Sequence, residues 1–235
     1  MMIVKRLSDA LRDNDRIHAV VLATATNSDG QSHKNLFAPS AITQEVMIRK
    51  ALRNAGVNPA DMVYVEAHGT GTKAGDAAEF GGLDTVWNES GREDRQWCAL
   101  GSVKSQIGHT KSAAGAAGLF KAVMALHHKV LPPTIKVDRP NPALNIEKSP
   151  FYLNTHARPW IRDASHPRRA SVSSFGFGGS NFHVALEEYT GPAPRAWRVR
   201  TEPTELVLLS DATAQGLSAK CEEAAKRAAE LGLTA

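Results

Sequence analysis

The sequence predicts an α/β protein in which some of the strands pair in parallel. Short apolar runs alternate with segments of helical spacing, the connections between them are short, and glycine-containing turns follow two of the apolar runs. The 235 residues are 42% hydrophobic and 22% charged, which is typical of soluble globular proteins. This composition excludes collagenous, low-complexity and wholly disordered chains.

Residues 1–128 alternate between predicted strands and helices. The opening MMIV predicts the end of a strand, although no strand precedes it to pair with. Apolar runs that end in a turn are typical of buried strands, and apolar residues three or four apart are typical of helices. In chain order we expect a strand over 17–30, a helix over 40–56 ending at Gly56, a strand over 62–67, a helix over 76–87, a strand over 98–103 and a helix over 112–128.

The remainder of the chain contains more proline. Segment 131–169 is rich in proline, so we expect irregular, extended chain over the surface. Residues 170–189 predict two strands joined by the glycine loop Gly176–Gly179, in a hairpin-like arrangement. A linker containing proline and arginine follows, and then a short strand over 205–210 and an alanine-rich helix that runs to residue 235.

Charge and cysteine content exclude several functional classes. The net charge of +4 comes from scattered basic residues, which gives no reason to expect nucleic-acid binding. No window approaches the roughly 20 apolar residues of a membrane-spanning helix, and Lys5 and Arg6 come too early for a signal peptide. Two cysteines cannot form a disulfide framework, which fits a reducing compartment and predicts a cytoplasmic protein.

The first candidate site is HGTGT, His68–Thr72, between a predicted strand and a helix. Ligands of α/β sheets bind at such strand ends, where glycines allow close approach and threonine hydroxyls form hydrogen bonds. One alternative is a tight turn with a structural histidine. The other is a dinucleotide site, but the spacing of Gly69, Gly71 and Gly75 is one residue longer than that fingerprint.

The second candidate site is KSQIGHTKS, which follows the next predicted strand. A P-loop is excluded because Gly108 is followed by His109, with Lys111 two positions later. Successive strand ends lie at the same edge of a parallel sheet, so His68 and His109 are expected to converge, with Lys104 nearby. Two neutral imidazoles can donate hydrogen bonds to a developing oxyanion, and an ammonium group biases their tautomers and pKa values.

Other chemistry-bearing residues have simpler interpretations. Adjacent His127 and His128 point in different directions on a helix, so capping of its C-terminus is favoured over metal binding. Cys98, inside a strand, is expected to be a small buried hydrophobe, and Cys221 lies on the terminal helix. No metal site is predicted, because four further histidines show no ligand spacing: His33, His156, His166 and His183.

The third motif is FGFGG, Phe175–Gly179. It predicts either a simple hairpin turn or a mobile loop in which Phe177 opens and closes a site, since glycines on both sides free its backbone.

Three blocks of the sequence resemble one family. VEAHGTGTKAGDAAE, GSVKSQIGHTKSAAGAAGLFKAVMALHHKVLPPTI and SSFGFGGSNFHVALEEY are similar, in order and spacing, to β-ketoacyl synthase domains of modular polyketide and polyunsaturated fatty acid synthases. KSQIGHTKSAAG and GDAAEF favour the polyunsaturated fatty acid branch. The resemblance covers residues 1–189, and residues 190–235 resemble a truncated linker toward an acyltransferase domain.

The resemblance implies a thiolase-like fold of two similar α/β halves in five layers, usually dimeric. This chain would be the C-terminal half only, a layered α-β-α structure, followed by a small α/β linker stub. The family's nucleophilic cysteine lies in the N-terminal half, and no such motif is present here. Its partners would be an acyl carrier protein (ACP), the missing half and a second copy. No cofactor would bind directly, since phosphopantetheine of the carrier protein holds the substrates.

The resemblance also assigns roles to individual residues. His68 and His109 match the two histidines that hydrogen-bond the malonyl thioester carbonyl as CO₂ leaves, and Lys104 matches the lysine that orders them. Thr70 and Thr72 match contacts to the pantetheine arm, and Phe177 matches a gating aromatic. The structural glycines of the three motifs are Gly69, Gly71, Gly108, Gly176, Gly178 and Gly179.

One departure concerns the partner of the lysine. Some relatives have a glutamate nine positions after the second histidine, where this chain has Gly118, so we expect Asp76 or Glu79 to pair with Lys104 instead. Two functions follow from the resemblance. The first is the histidine-bearing part of a condensing enzyme, and the second is a non-catalytic structural fragment or docking partner of a separate cysteine-bearing half.

Overall fold

The computed structural model describes residues 1–30, 39–161, 165–176, 178–192 and 207–230. The chain forms two compact units, Met1–Pro194 and Arg195–Ala235. All strands of the described residues belong to the first unit, and the described residues of the second contain one helix.

The observed elements follow the predicted alternation. In chain order the strands are β1 (Val20–Ser28), β2 (Met62–Glu66), β3 (Cys98–Gly101), β4 (Val130–Leu131), β5 (Phe151–Leu153), β6 (Arg158–Pro159), β7 (Arg169–Gly176) and β8 (Ser180–Glu187). The helices are α1 (Leu7–Arg12), α2 (Ala41–Ala55), α3 (Lys73–Asn88), α4 (Lys104–Ile107), α5 (Ala114–His128) and α6 (Ala214–Glu230). The six elements predicted within 17–128 and the predicted hairpin are confirmed, with boundaries that differ by a few residues.

A six-stranded mixed sheet, in the order β1-β8-β7-β2-β3-β5, forms the centre of the first unit. Strands β7, β2, β3 and β5 pair in parallel, which confirms that prediction, whereas β1, β8 and β7 pair antiparallel. Glu66 at the end of β2 lies opposite Gly101 at the end of β3. The segments that follow β2 and β3 therefore emerge side by side at one edge.

Helices cover both faces of this sheet. Cys98 of β3 belongs to one buried apolar cluster, together with Met47 of α2 and Trp87 of α3. The next residue, Ala99, belongs to a second cluster with Leu126 of α5. Because successive strand residues point to opposite faces, α2 and α3 lie on one side of the sheet and α5 on the other. The predicted α-β-α layering is confirmed.

Capping residues explain where the helices next to the strand ends begin and end. The Ser40 side chain accepts a hydrogen bond from the Thr43 amide at the start of α2, and Gly56 ends that helix with a φ of 65°. The Thr72 side chain accepts a hydrogen bond from the Gly75 amide, so α3 begins at Lys73. The sequence predicted a start at residue 76, three residues later.

Three sequence expectations are wrong. Residues 1–6 form no strand, because MMIV has no strand beside it to pair with. The proline-rich segment 131–169 is not entirely irregular, since Phe151–Leu153 joins the main sheet beside β3 and β4 pairs with β6. The short strand expected over 205–210 is absent from its described part, residues 207–210, which are exposed and have no partner strand.

The last helix is present as α6 over Ala214–Glu230, and residues 231–235 lie outside the described part of the chain. Among the described residues, no helix has the length and apolar character needed to cross a membrane.

Candidate active site

Two loops at the carboxyl edge of the sheet carry the three predicted catalytic residues. His68 follows β2, and Lys104 and His109 lie on the segment that follows β3. The Ala67 amide donates a hydrogen bond to the Gly101 carbonyl at 2.7 Å, which joins the two loops. The rings of His68 and His109 lie 5.6 Å apart, centroid to centroid, and are almost perpendicular. The structure therefore brings both imidazoles together.

Two donors face one nitrogen of His68. The Phe175 amide donates to His68 Nδ1 at 3.3 Å, and Lys104 Nζ lies 3.4 Å from the same atom. Nδ1 is therefore the acceptor, and the proton of the neutral ring is on Nε2. Burial, reinforced by the charges of Lys104 and His109, lowers the pKa of His68 to about 4. The ring is neutral at physiological pH.

His109 has the same arrangement in a more exposed position. The Lys111 amide donates to its Nδ1 at 3.0 Å, so its proton is also on Nε2. Desolvation lowers the pKa of His109, as do the charges of Lys104 and Lys111. Both histidines are thus neutral rings with Nε2–H available as a donor.

Lys104 is half-buried between these groups. Its ammonium group donates to the His68 carbonyl oxygen in addition to its approach to Nδ1. Burial lowers the pKa of Lys104, and the carboxylates of Glu79 and Glu66 oppose that effect. The lysine therefore fixes both the backbone and the ring of His68.

The expectation that Asp76 or Glu79 pairs with Lys104 is wrong. Glu79 accepts the amides of His68 and Gly69, at 2.7 and 2.8 Å, and Asp76 accepts the Gly71 amide at 3.1 Å. Neither carboxylate forms an ion pair with Lys104 within the described part of the chain, because both bind backbone amides of the HGTGT turn. Burial raises the pKa of Glu79 to about 7, despite its two amide donors.

The HGTGT turn requires glycine at its second position. Gly69 has a φ of +46°, and a Cβ there would lie 2.7 Å from the Cβ of Ser102. The Thr70 and Thr72 hydroxyls are 3.3 Å apart, and Thr72 also caps α3. Gly71 and Gly108, each with a φ of +76°, lie in the two loops and also have left-handed backbones.

An open cavity of about 870 Å³ lies against these loops. His68, His109, Thr70 and Thr72 line one part of it. The glycine loop lines another part through Gly176, Gly178 and Gly179, of which the last two have φ values of +88° and +83°. The predicted gate, Phe177, lies outside the described residues.

A buried polar group anchors one end of the glycine loop. Asn181 Nδ2 donates to Asp29 Oδ1 at 2.6 Å, and the Asp29 amide donates to the Gly179 carbonyl at 2.8 Å. The Thr43 hydroxyl of α2 donates to the same carboxylate. These contacts link β1, β8 and α2 beside the cavity.

Sequence reasoning missed the contributions of Glu79, Phe175, Asp29 and Asn181. Phe175 acts through its backbone amide and through its ring, which lies 5.5 Å from that of His68. The position of Asn181, two residues after the glycine loop, could have indicated its contribution. The contact of Phe175 depends on strand pairing, which the residue type does not reveal.

The remaining candidates do not join the site. Cys98 is buried, and burial raises the pKa of its thiol well above the usual value, so it is no nucleophile. Cys221 is exposed on α6 of the other unit. Helix α5 ends at His128, and no group of three potential metal ligands occurs among the described residues. His33 lies outside them.

Comparison with known proteins gives matches along most of the chain. Residues 18–138 match the family "Beta-ketoacyl synthase, C-terminal domain", and residues 140–233 match "Ketoacyl-synthetase C-terminal extension". One chain of the polyunsaturated fatty acid synthase of Thraustochytrium sp. is 43% identical over 226 residues, which are 94% of this chain and 8% of that protein. Polyketide synthase PksL of Bacillus subtilis is 41% identical over 97% of this chain and 5% of its own length.

Solved structures agree with these matches. The ketosynthase from module 6 of the bacillaene synthase of Bacillus subtilis 168 superposes with a TM-score of 0.76 at 45% identity, over 79% of this chain and 33% of that chain. An oxazolomycin ketosynthase domain of Streptomyces albus gives a TM-score of 0.74 at 43% identity, over 81% of this chain and 33% of that chain. This chain thus spans less than a tenth of the two synthases and about a third of the ketosynthase domain. It has the thiolase-like fold of a ketosynthase C-terminal half and belongs to the β-ketoacyl synthase family.

Proposed function

We propose that this chain supplies the two histidines and the lysine of a β-ketoacyl-ACP synthase, which condenses malonyl-ACP with an acyl thioester in fatty acid or polyketide biosynthesis. One observation carries the proposal: His68 and His109 each accept a backbone amide at Nδ1, which leaves two Nε2–H donors beside one cavity. The family match and the synthase relatives support this class of reaction.

In the proposed reaction, the thioester carbonyl oxygen of malonyl-ACP accepts hydrogen bonds from both Nε2–H groups. The bond between the α-carbon and the carboxylate breaks, CO₂ leaves, and the electron pair forms an enolate whose oxygen these donors stabilise. The enolate carbon then attacks an acyl thioester on a cysteine of the N-terminal half. A C–C bond forms, and the cysteine leaves as a thiolate that takes a proton from solvent.

Lys104 reinforces the neutral form of the donors, which burial already favours. Its positive charge disfavours a second positive charge on His68 or His109, and its hydrogen bond to the His68 carbonyl fixes the loop. A neutral imidazole stabilises the enolate without transferring its proton to the carbanion carbon, which must remain free to attack.

The substrate arm is assigned to the cavity. We assign contacts with phosphopantetheine to Thr70 and Thr72, which line the cavity, and gating to Phe177. Glycines of the loops allow the backbone to approach the phosphopantetheine arm closely. These glycines are Gly69, Gly71, Gly108, Gly176, Gly178 and Gly179.

The proposed partners follow from the reaction. They are an acyl carrier protein, a cysteine-bearing N-terminal half and a second copy of the whole domain, with no directly bound cofactor. Residues 1–189 would form the catalytic part and residues 190–235 the linker. Cytoplasmic location is part of the proposal, since a thiol nucleophile works in a reducing compartment.

The test mixes this chain with the cysteine-bearing half of a related ketosynthase and measures condensation of acyl and malonyl carrier-protein thioesters. His109→Ala removes one of two enolate donors and is expected to lower kcat by roughly 100-fold. His128→Ala, at the end of α5, is the matched control and should leave the rate unchanged. Equal product from His109→Ala and the wild type would contradict the role of His109.

A structural role is the second candidate, because no cysteine of the described residues lies at the cavity. In that case the two halves would bind each other but would form no product with any carrier-protein thioester. Co-elution on a size-exclusion column measures the binding.

A further inference from the structure

A buried charged cluster lies directly beneath the two catalytic loops. Glu66, the last residue of β2, and Lys121 of α5 form an ion pair with Oε2 and Nζ 2.9 Å apart, and their side chains are 1% and 8% exposed. The Tyr64 hydroxyl donates to the same Oε2 at 2.6 Å. One oxygen of the Glu66 carboxylate thus accepts a hydrogen bond from the Tyr64 hydroxyl and lies at ion-pair distance from the Lys121 ammonium group.

The other oxygen reaches the loop that carries the lysine. Glu66 Oε1 accepts the amide of Val103 at 2.5 Å, and Val103 directly precedes Lys104. Glu66 itself stands two positions before His68. A single carboxylate therefore links two segments of the site. One is the end of strand β2, which leads to His68, and the other is the start of the segment that carries Lys104 and His109.

Gly118 provides the space for this carboxylate. A Cβ on Gly118 would lie 3.2 Å from Cγ of Glu66 and 3.4 Å from Cγ1 of Val172, so α5 approaches β2 closely at this point. This close approach brings Lys121, one turn further along α5, within ion-pair distance of the carboxylate. Without Lys121, the buried carboxylate would lose its ion-pair partner.

We propose that Glu66 is a positioning residue that holds the Val103–Lys104 turn against the His68 loop, and that Lys121 holds the Glu66 carboxylate in place. The inference rests on the proposed function for its effect on rate, and on the hydrogen bond to Val103 for its effect on structure. Glu66 does not line the cavity, so it acts through Lys104 and not on the substrate.

The chain contains a matched ion pair at the opposite end of the sheet. Glu188 accepts the backbone amide of Arg168 with one oxygen, at 2.9 Å, and binds the Arg168 guanidinium with the other, at 2.8 Å. Both side chains are at most 12% exposed. This pair has the same chemistry as Glu66 and Lys121, but it lies before β7 and after β8, away from the catalytic loops.

Two double variants separate positioning from simple stability. Glu66→Gln/Lys121→Met removes both charges but keeps an oxygen for the Val103 amide. Glu66→Met/Lys121→Met removes that acceptor as well. Removing both members of a buried ion pair leaves neither charge unpaired, so both variants are expected to fold, and thermal unfolding measures their stability. Arg168→Met/Glu188→Met is the control.

The first measurement is amide hydrogen exchange of Val103 and Lys104 in the 235-residue chain, which needs no activity. We expect at least about tenfold faster exchange of Val103 in Glu66→Met/Lys121→Met than in Glu66→Gln/Lys121→Met. The control should leave this amide as in the wild type. Equal exchange rates in the two variants would overturn the proposal.

The second measurement is decarboxylation of malonyl-ACP by each variant mixed with the cysteine-bearing half. The kcat of Glu66→Gln/Lys121→Met should remain within about threefold of the wild-type value. The kcat of Glu66→Met/Lys121→Met should fall roughly 10- to 100-fold, with little change in KM. Equal rates in the two variants would overturn the positioning role. A wild-type mixture without activity would instead contradict the proposed function, while the exchange rates would still decide whether Glu66 holds the turn.

Discussion

At the scale of single residues, the site depends on which nitrogen of each histidine is occupied. His68 and His109 were expected to converge because two successive strands end at one edge, and the structure brings their rings together. The sequence does not reveal why both rings present Nε2–H. That outcome depends on backbone amides at Phe175 and Lys111, and every residue except proline carries such an amide.

The charge of His68 can be tested directly. With a pKa lowered to about 4, mainly by burial, its ring should stay neutral down to about pH 4. Lys104→Met removes a positive charge and should raise this pKa by up to about one unit, but burial should keep it below the ordinary 6.5. The measurement is the pH dependence of the His68 Cε1 chemical shift in labelled protein.

Lys129→Met, beyond the end of α5, removes a positive charge away from the catalytic loops and serves as the control. A midpoint near pH 6.5 in the wild type would show that the ring is not buried as described.

At the scale of elements, most of the helices and strands followed from periodicity and from residues at their ends. Helix α2 shows this well, since Ser40 and Gly56 cap the two ends that the sequence indicated. Strand β5 could not be predicted, because three residues in a proline-rich segment show no periodicity. It forms because Phe151 packs its ring 5.4 Å from Trp87 and 5.9 Å from Phe80.

Phe151→Ala should therefore destabilise the first unit by about 3–5 kcal/mol, because it leaves a cavity in the core and weakens the pairing of β5 with β3. Urea unfolding of the chain measures this difference. Phe120→Ala is the matched control, since that ring is 54% exposed on α5 and its loss should cost less than about 0.5 kcal/mol. A similar cost for both substitutions would mean that β5 is not part of the core.

At the scale of the whole molecule, the fold withdraws two histidines from water, His68 partly and His183 completely. His183 belongs to β8, and its Nδ1 lies 3.0 Å from the Ser173 hydroxyl of β7. Burial lowers its pKa to about 3. The unfolded chain binds protons to both residues at higher pH than the folded chain does, so protonation favours unfolding.

The free energy of unfolding should therefore fall as the pH drops from about 6.5, the ordinary histidine value, toward 3. His183→Asn, which keeps a polar partner for Ser173, should reduce this dependence, as measured by urea unfolding at about pH 7 and about pH 4.5. His156→Asn, on an exposed residue, controls for the loss of one histidine. An unchanged dependence in His183→Asn would contradict the assignment.

The amides that bind the two imidazoles also affect which substitutions the site tolerates. Exchange of the side chain at Phe175 or Lys111 leaves an N–H in the same place, so the protonation pattern of the site survives almost any single substitution at these two positions. Only proline removes the donor, and Lys111 additionally has a φ of +55°, which a proline ring cannot adopt. The tautomers of the two histidines therefore depend on the path of the main chain at positions 175 and 111 and not on the side chains there.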